Sequence, residues 1–295
     1  MNGAMVLYGY KFTKKIYLNF GKRVVFISHG EYSRGHDIFQ FLQKFFNNRD
    51  FSNEYIANGL GISLNGERLH GNEYEVFYIS PLVNAGEATK VLRKTLLGKL
   101  WQQLFQEKNT SLKFVSDTVD KCIVNELNGL LNNYNLQYTN DGGDVLSYCK
   151  LLEMTAIEDG IEHNLDEIAQ FDIKRLLLDT VGKLETNKPK LLLLELPEYG
   201  LTARQADDFF QQIKESPIEH IILVTQTEAV LRATNNIFYY HYVTSKGVCT
   251  FEDWEEMLFD MQDYDEKAIE QYILKQLITG IKDFRLSQFV DENSR

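Results

Sequence analysis

The chain opens on short apolar runs rather than on a helical stripe. Val6 to Tyr10 and Ile16 to Phe20 are aromatic-rich β runs, and Thr13-Lys14-Lys15 between them reads as a hairpin turn. Val24-Val25-Phe26-Ile27 is unbroken apolar sequence, as expected of a strand covered on both faces. Past a glycine-bearing loop, Ile38, Phe39, Leu42, Phe45 and Phe46 recur at helical spacing. Asn65-Gly66 within Ile62 to Leu69 predicts a two-residue hairpin, and Glu75 to Ser80 another strand. From about Ala85 to Gly182 the period becomes helical. Leu92, Leu96, Leu97, Leu100, Trp101, Leu104 and Phe105 form one stripe, and Val119, Ile123, Leu127, Leu130 and Leu131 a second. Asn164 with Glu167 predicts a cap before Ile168, Phe171, Leu176 and Val181. Strand signals return at Leu191 to Leu194. Thr202 with Gln205 then caps a helix bearing Ala206, Phe209, Phe210 and Ile213. Ile221 to Val224 and Ile237 to Val243 are further strands, and the tail from Phe251 is acidic and helical.

This order predicts an α/β fold with a mostly parallel sheet, interrupted by a helical domain. The expected division is a discontinuous α/β head, 1–84 and 185–250, and a helical leg, 85–184 and 251–295.

Composition narrows the class. The 295 residues are 44% hydrophobic and 25% charged with four prolines, an ordinary globular balance. Such a length buries roughly 75% of its extended surface, enough for a core without staples. Cys122, Cys149 and Cys249 are odd in number and far apart, which predicts neither a disulfide framework nor a zinc knuckle. No apolar run approaches the ~18 residues of a membrane span, and the start lacks the layout of a secretory signal. A cytoplasmic protein with no membrane partner is the expectation. The net charge of −11 is uneven. Residues 1–113 hold 15 basic and 9 acidic groups, whereas residues 114–295 hold 16 and 33. The basic half can meet a polyanion, because binding follows the local field rather than the total.

The segment Gly30-Glu31-Tyr32-Ser33-Arg34-Gly35-His36-Asp37 lies between a buried strand and an amphipathic helix, with the spacing of the phosphate-cradling loop G-x-x-x-x-G-K-[ST]. Its chemistry differs. His36 stands at the lysine position and Asp37, an anion, at the magnesium-binding hydroxyl. Leu191 to Pro197 has the layout of the Walker B segment of an ABC-type ATPase, with Glu195 at the metal-binding acid. Leu196 stands where a water-polarising glutamate belongs, and a leucine takes no proton. Gln226 follows Ile221 to Thr225 where a switch histidine would stand, and no Leu-Ser-Gly-Gly-Gln precedes Leu191. The residues predict a nucleotide-type framework without hydrolytic groups: no enzyme, and no nucleotide cofactor.

Three stretches together resemble the accessory spacer-acquisition protein of type II-A CRISPR systems. They are Tyr10-Lys11 with Ile16 to Gly21 and Ile38 to Leu42, the helical insert, and Lys188 to Glu195 followed by Leu201-Thr202 and Ile222 to Val224. The resemblance covers about residues 5–250. It implies a degenerate ABC-like head with a helical leg, and a homotetrameric ring that encircles and binds the ends of linear double-stranded DNA without hydrolysing ATP. It also implies calcium supporting the ring, and work beside the CRISPR integrase and the RNA-guided nuclease.

DNA binding without sequence readout needs lysines and arginines set to meet phosphates. The first candidate cluster is Lys90, Arg93 and Lys94, with Lys99 further along the same helical segment. The second is Lys14, Lys15, Lys22 and Arg23 on the N-terminal strands. For calcium, the candidates are Asp141 and Asp144 on a glycine turn, with Glu126 on the preceding helix, in the region where the resemblance implies the ion. Clusters of either kind also occur as plain solvated faces and turns. Two other readings remain: a divergent ABC-like ATPase using His36 and Glu195, and a protein-interaction module on a retired nucleotide fold.

Overall fold

The computed structural model describes residues 3–9, 12–28, 32–48, 61–88, 95–107, 156–158, 161–163, 169–232, 238–244, 247–250 and 266–293. The chain divides into two units, Met1–Leu82 with Thr186–Arg295, and Val83–Glu185.

The first unit is α/β. Strands β1 (Gly3–Gly9), β2 (Phe12–Phe20), β4 (Gly61–Leu64) and β5 (Glu67–Arg68) make an antiparallel sheet in the order β2-β1-β4-β5. A six-stranded sheet holds β3 (Arg23–Ser28), β6 (Glu75–Ile79), β9 (Lys190–Glu195), β10 (His220–Thr225), β11 (Phe238–Val243) and β12 (Val248–Thr250). Its order is β12-β11-β3-β10-β9-β6; every pairing is parallel except that of the edge strand β12. Every residue of β3, β9 and β10 is buried, which is why those strands read as unbroken apolar runs.

Helix α1 (Tyr32–Asn47) lies between the two sheets. Ile38, Leu42, Phe45 and their neighbours join Met5, Leu7, Leu18 and Ile62 of the antiparallel sheet. On the other side they meet Val24, Phe26, Leu191, Leu193, Ile222 and Val224 of the parallel one. Each buried phenylalanine contributes about 2–3 kcal/mol by leaving water, so this double-faced helix anchors the unit. Gly35 lets it come close, because a Cβ there would sit 2.8 Å from Val224 Cγ2. The predicted Asn65-Gly66 turn is present, with both residues at positive φ (54° and 83°) as a two-residue hairpin of this hand requires.

Three expectations change. The β1–β2 pairing runs to Gly9 opposite Phe12, so Thr13 to Lys15 lie inside β2 and are not the turn. The polar triplet has the composition of a turn, but a lysine on an exposed strand face satisfies the alternation equally well. The stretch from Tyr32 to Asp37 is helix rather than loop, so Gly35 is a packing glycine instead of a loop glycine. The described tail also belongs to the sheet unit and not to the leg. Helix α7 (Glu266–Thr279) packs on β3, and α8 (Phe284–Asn293) on β12. Their apolar stripes, Ile273, Leu274, Leu277 and Ile278 with Leu286 and Val290, need a covering surface that hydropathy alone does not identify.

The second unit holds α2 (Ala85–Ala88), α3 (Leu96–Glu107), α4 (Gln170–Lys183) and a short hairpin of β7 (Ala156–Glu158) with β8 (Ile161–His163) that periodicity missed. Helix α4 starts at Gln170 with no side-chain cap, later than the Asn164–Glu167 signal suggested. Its Gln170 amide bonds both backbone groups of Val83, and Gln103 of α3 does the same for Glu185. Helix α5 (Ala203–Glu215) of the first unit carries the capping box expected of Thr202 and Gln205, and α6 (Ala229–Arg232) packs beside it. Among the described residues no helix is long and apolar enough to cross a membrane.

Candidate functional site: an internally bonded carboxylate

Alternation along β9 puts Leu191, Leu193 and Glu195 in one row facing α1. The first two residues join the apolar core. Glu195, 2% exposed, is a carboxylate at the end of the same row and must find donors there. Two side chains supply them: Tyr78 of β6 donates its hydroxyl proton to Oε2, and His36 Nδ1 meets Oε1. Gln40, one helical turn after His36, brings its amide nitrogen to 2.7 Å from His36 Nε2. With the amide donating, the hydrogen-bond pattern assigns the ring proton to Nδ1 and aims it at Glu195. The chain Gln40–His36–Glu195–Tyr78 thus ties α1, β9 and β6 together at the finishing end of the strands. Only its outer part meets solvent, the His36 side chain being 37% exposed.

The loop after β9 is held as firmly. Leu196 adopts φ +41°, a left-handed conformation that costs a residue with a Cβ on the order of 1–2 kcal/mol. Its N–H donates to Val224 O at 3.0 Å and its carbonyl accepts from Tyr199 N at 2.9 Å, which over-determine the bend. Glu198 closes the loop onto β10, its Oε1 accepting from Thr225 Oγ1 (3.1 Å) and from the Gln226 N–H (2.8 Å). Gln226 therefore joins the site through its backbone, while its side chain is exposed.

His36, Gly35, Asp37, Glu195 and Gln226 of the predicted nucleotide region all gather at this end of the sheet. Gly30 lies outside the described residues. Tyr78, Gln40 and Glu198 were not anticipated. Gln40 had a signal, the i,i+4 spacing from His36, and Glu198 another, a charge just past a buried strand in Leu-Pro-Glu-Tyr-Gly; Tyr78 had none beyond a hydroxyl in a strand.

The basic candidates separate. Lys15 and Lys22 are exposed on the first unit, and Lys14 lies within β2. Lys99 is half-buried on α3. Lys90, Arg93 and Lys94 lie outside the described residues, as do the calcium candidates Glu126, Asp141 and Asp144. Arg23 is corrected. It is 2% exposed, and its guanidinium donates to Lys22 O and Ile213 O (2.8 Å each), Ser216 O (2.6 Å) and Ile218 O (3.1 Å). These carbonyls cluster about the C-terminal end of α5, the negative end of its dipole. Burial lowers the Arg23 pKa to about 10, so it stays charged at neutral pH and serves as a helix cap, out of reach of any phosphate.

Two buried histidines are likewise structural. His220 Nδ1 donates to Gly21 O at 2.9 Å and the ring stacks on Phe20; burial lowers its pKa. His241 Nε2 donates to Asn19 O at 3.3 Å, and burial lowers its pKa to about 4. The Cys249 thiol, pushed up to about 12 by burial, is no nucleophile near neutral pH. Among the described residues no group of three or more His, Cys, Asp or Glu converges on a point that could hold a metal ion.

Chemically, the centre of the site offers the buried Glu195 carboxylate, the His36 imidazole and the Tyr78 phenol, hydrogen-bonded to one another through Glu195. Both oxygens of Glu195 are engaged, one by His36 and one by Tyr78, and Leu196 brings no base to a water beyond them.

Among solved structures, Stu0660 of Streptococcus thermophilus is similar, with a TM-score of 0.69 at 16% identity over 92% of this chain and 84% of that one. The likeness is one of fold. Two ATP-binding structures match more distantly. One is the ADP conformation of MJ1267, an ATP-binding cassette of an ABC transporter, with a TM-score of 0.43 at 12% identity over 92% of this chain and 99% of that one. The other is an ATP-binding subunit of an ABC transporter, at 0.42 and 14% over the same shares. No family model matches the sequence, and no curated protein matches it.

Proposed function

We propose that the protein is a non-enzymatic binder of double-stranded DNA ends, acting without sequence readout as a homotetrameric ring in the acquisition of new spacers by type II-A CRISPR immunity. The observation that carries the non-enzymatic part is the engagement of Glu195. In a strand–helix framework of nucleotide-binding type, the acid at the end of β9 is bonded to His36 and Tyr78, and the next residue is a leucine. The same contact argues against the ATPase reading, since His36 and Glu195 are each other's partners. The DNA part is supported by the sequence resemblance, by the exposed Lys22, and by a division into an α/β unit and one whose described residues are mostly helical, which suits a head and a leg. In this reading Lys90, Arg93, Lys94 and Lys99 line the hole, and four copies of a modest patch act on one duplex. Calcium, held through Glu126, Asp141 and Asp144, steadies the ring. The integrase and the RNA-guided nuclease are its partners, in the cytoplasm.

A mobility shift with linear and covalently closed forms of one plasmid tests the reading. Linear duplex is retarded, closed circles are not, and affinity falls steeply with salt as counterions are released. Equal binding of both forms, or phosphate release from added triphosphate, sinks it. Chelating calcium is expected to shrink the assembly in light scattering.

A further inference from the structure

Helix α1 covers one face of the antiparallel sheet, and the alternation of the strands sets the composition of the other. Register places Arg68, Ser63, Val6 and Tyr17 side by side in one row across β5, β4, β1 and β2. Tyr8 and Lys15, two residues along β1 and β2, share that face, with the Lys15 ammonium 5.9 Å from the Tyr8 ring centroid. Tyr17 is 49% exposed, and Lys15 and Arg68 are exposed. None of these six positions carries a carboxylate, in a chain whose net charge is −11.

We propose that this face binds a single strand of nucleic acid, such as the frayed end of a duplex. The proposal rests on the DNA-binding reading and adds to it a second surface with a different ligand. Stacking on a flat sheet requires a base with an open π-face, which single strands offer and paired duplex does not. Tyr17 supplies the ring. Lys15, held over Tyr8 instead of sweeping through solvent, and Arg68 supply the phosphate contacts, and Ser63 a hydrogen-bonding hydroxyl between them. Arg68 and Tyr17 are three strand spacings apart, roughly 14 Å, a span along which several nucleotides can lie.

Fluorescence anisotropy with the full chain tests this, using a labelled oligothymidylate of roughly 16 nucleotides and a blunt-ended linear duplex with G·C-rich ends. The oligothymidylate is expected to bind. Tyr17→Ala should weaken it roughly tenfold while leaving duplex affinity unchanged. Tyr17→Leu, which keeps the bulk and removes the π-face, should do the same at an unaltered melting temperature. Lys15→Gln and Arg68→Gln should each flatten the salt slope by about 0.7. Duplex binding without oligothymidylate binding overturns this inference and leaves the DNA reading standing; no binding of either overturns both. Equal oligothymidylate affinity in Tyr17→Ala and the parent reduces the face to a basic patch. A change of assembly size in Tyr17→Ala makes it a contact between copies. Either result overturns the proposal.

Discussion

Where the parallel strands begin, Arg23 and His220 are buried against main-chain carbonyls. Where they finish, Glu195 is buried against the side chains of two other elements. A carbonyl belongs to the fold and survives any substitution at its own residue. Tyr78 and His36 do not: change either and the carboxylate loses a donor. The beginning of the sheet is therefore framework, with charge used to stop a helix. The finishing end is a side-chain constellation of the sort that carries chemistry, here satisfied from within. The contrast separates structural from site-like polar groups without reference to any relative.

Arg23 offers the largest break. Arg23→Met keeps length and apolar character but leaves the carbonyls of Lys22, Ile213, Ser216 and Ile218 without their donor. Removing one side of a buried charged interaction costs about 3–5 kcal/mol, read as a lower urea midpoint. Arg23→Lys should recover little of it, because one ammonium cannot meet carbonyls spread around a planar fork. A loss under about 1 kcal/mol would mean that water reaches those carbonyls and that the framework end is less closed than its burial implies.

His241 sharpens the same side through pH. Its pKa is lowered from 6.5 unfolded to about 4 folded, so between those values the unfolded chain binds more protons. Stability is fully present above pH 6.5 and falls as pH drops toward 4, by about 3 kcal/mol. His220, lowered in the same direction, adds to the slope. His241→Phe should flatten the curve of unfolding free energy against pH over that window. A slope unchanged in the variant would place the acid sensitivity on other groups.

The sequence makes the framework more legible than the site. Leu191 to Leu194 and Ile221 to Val224 announce buried strands because both their faces are covered, and the Thr202–Gln205 box and Asn65-Gly66 turn are local codes read without tertiary knowledge. Arg23 misled because a basic residue beside Lys22 looks like surface, and only the end of a helix some 190 residues later explains its burial. The tail misled for a related reason, since an amphipathic stripe specifies that it is covered and not by what. Motif spacing found His36 and Glu195 singly, but their contact and Tyr78 needed the strand order that sets β6 beside β9.

The finishing end yields a smaller effect that is diagnostic in its coupling. Glu195→Leu leaves His36 Nδ1 and the Tyr78 hydroxyl without their acceptor, and His36→Phe leaves the carboxylate short of a donor. Each should cost about 1–3 kcal/mol. The double variant should cost less than the sum, with a coupling on the order of 0.5–3 kcal/mol. Strict additivity would mean that the two side chains do not share a bond in solution, and with it the internal satisfaction of the site would fall. Neither variant should confer triphosphate turnover, since Leu196 is unchanged in both.

Helix α5 joins the two ends, and its start gives the smallest effect. Arg23 holds its C-terminal turn from the framework side. At its N-terminus Thr202 Oγ1 accepts from the Gln205 N–H at 3.3 Å, and Gln205 Oε1 accepts from the Thr202 N–H at 3.0 Å. Thr202→Ala removes one half of that box and should cost about 1 kcal/mol in chemical denaturation. The cap shares no partner with Glu195, so its cost should add to that of Glu195→Leu within about 0.5 kcal/mol. Additivity would confirm that the loop from Leu196 to Leu201 is held by its own turn bonds and by Glu198, independently of the His36–Glu195–Tyr78 chain. A coupling larger than that would extend the site into α5, and the division between a framework end and a site end would have to be drawn along the helix instead of across the sheet.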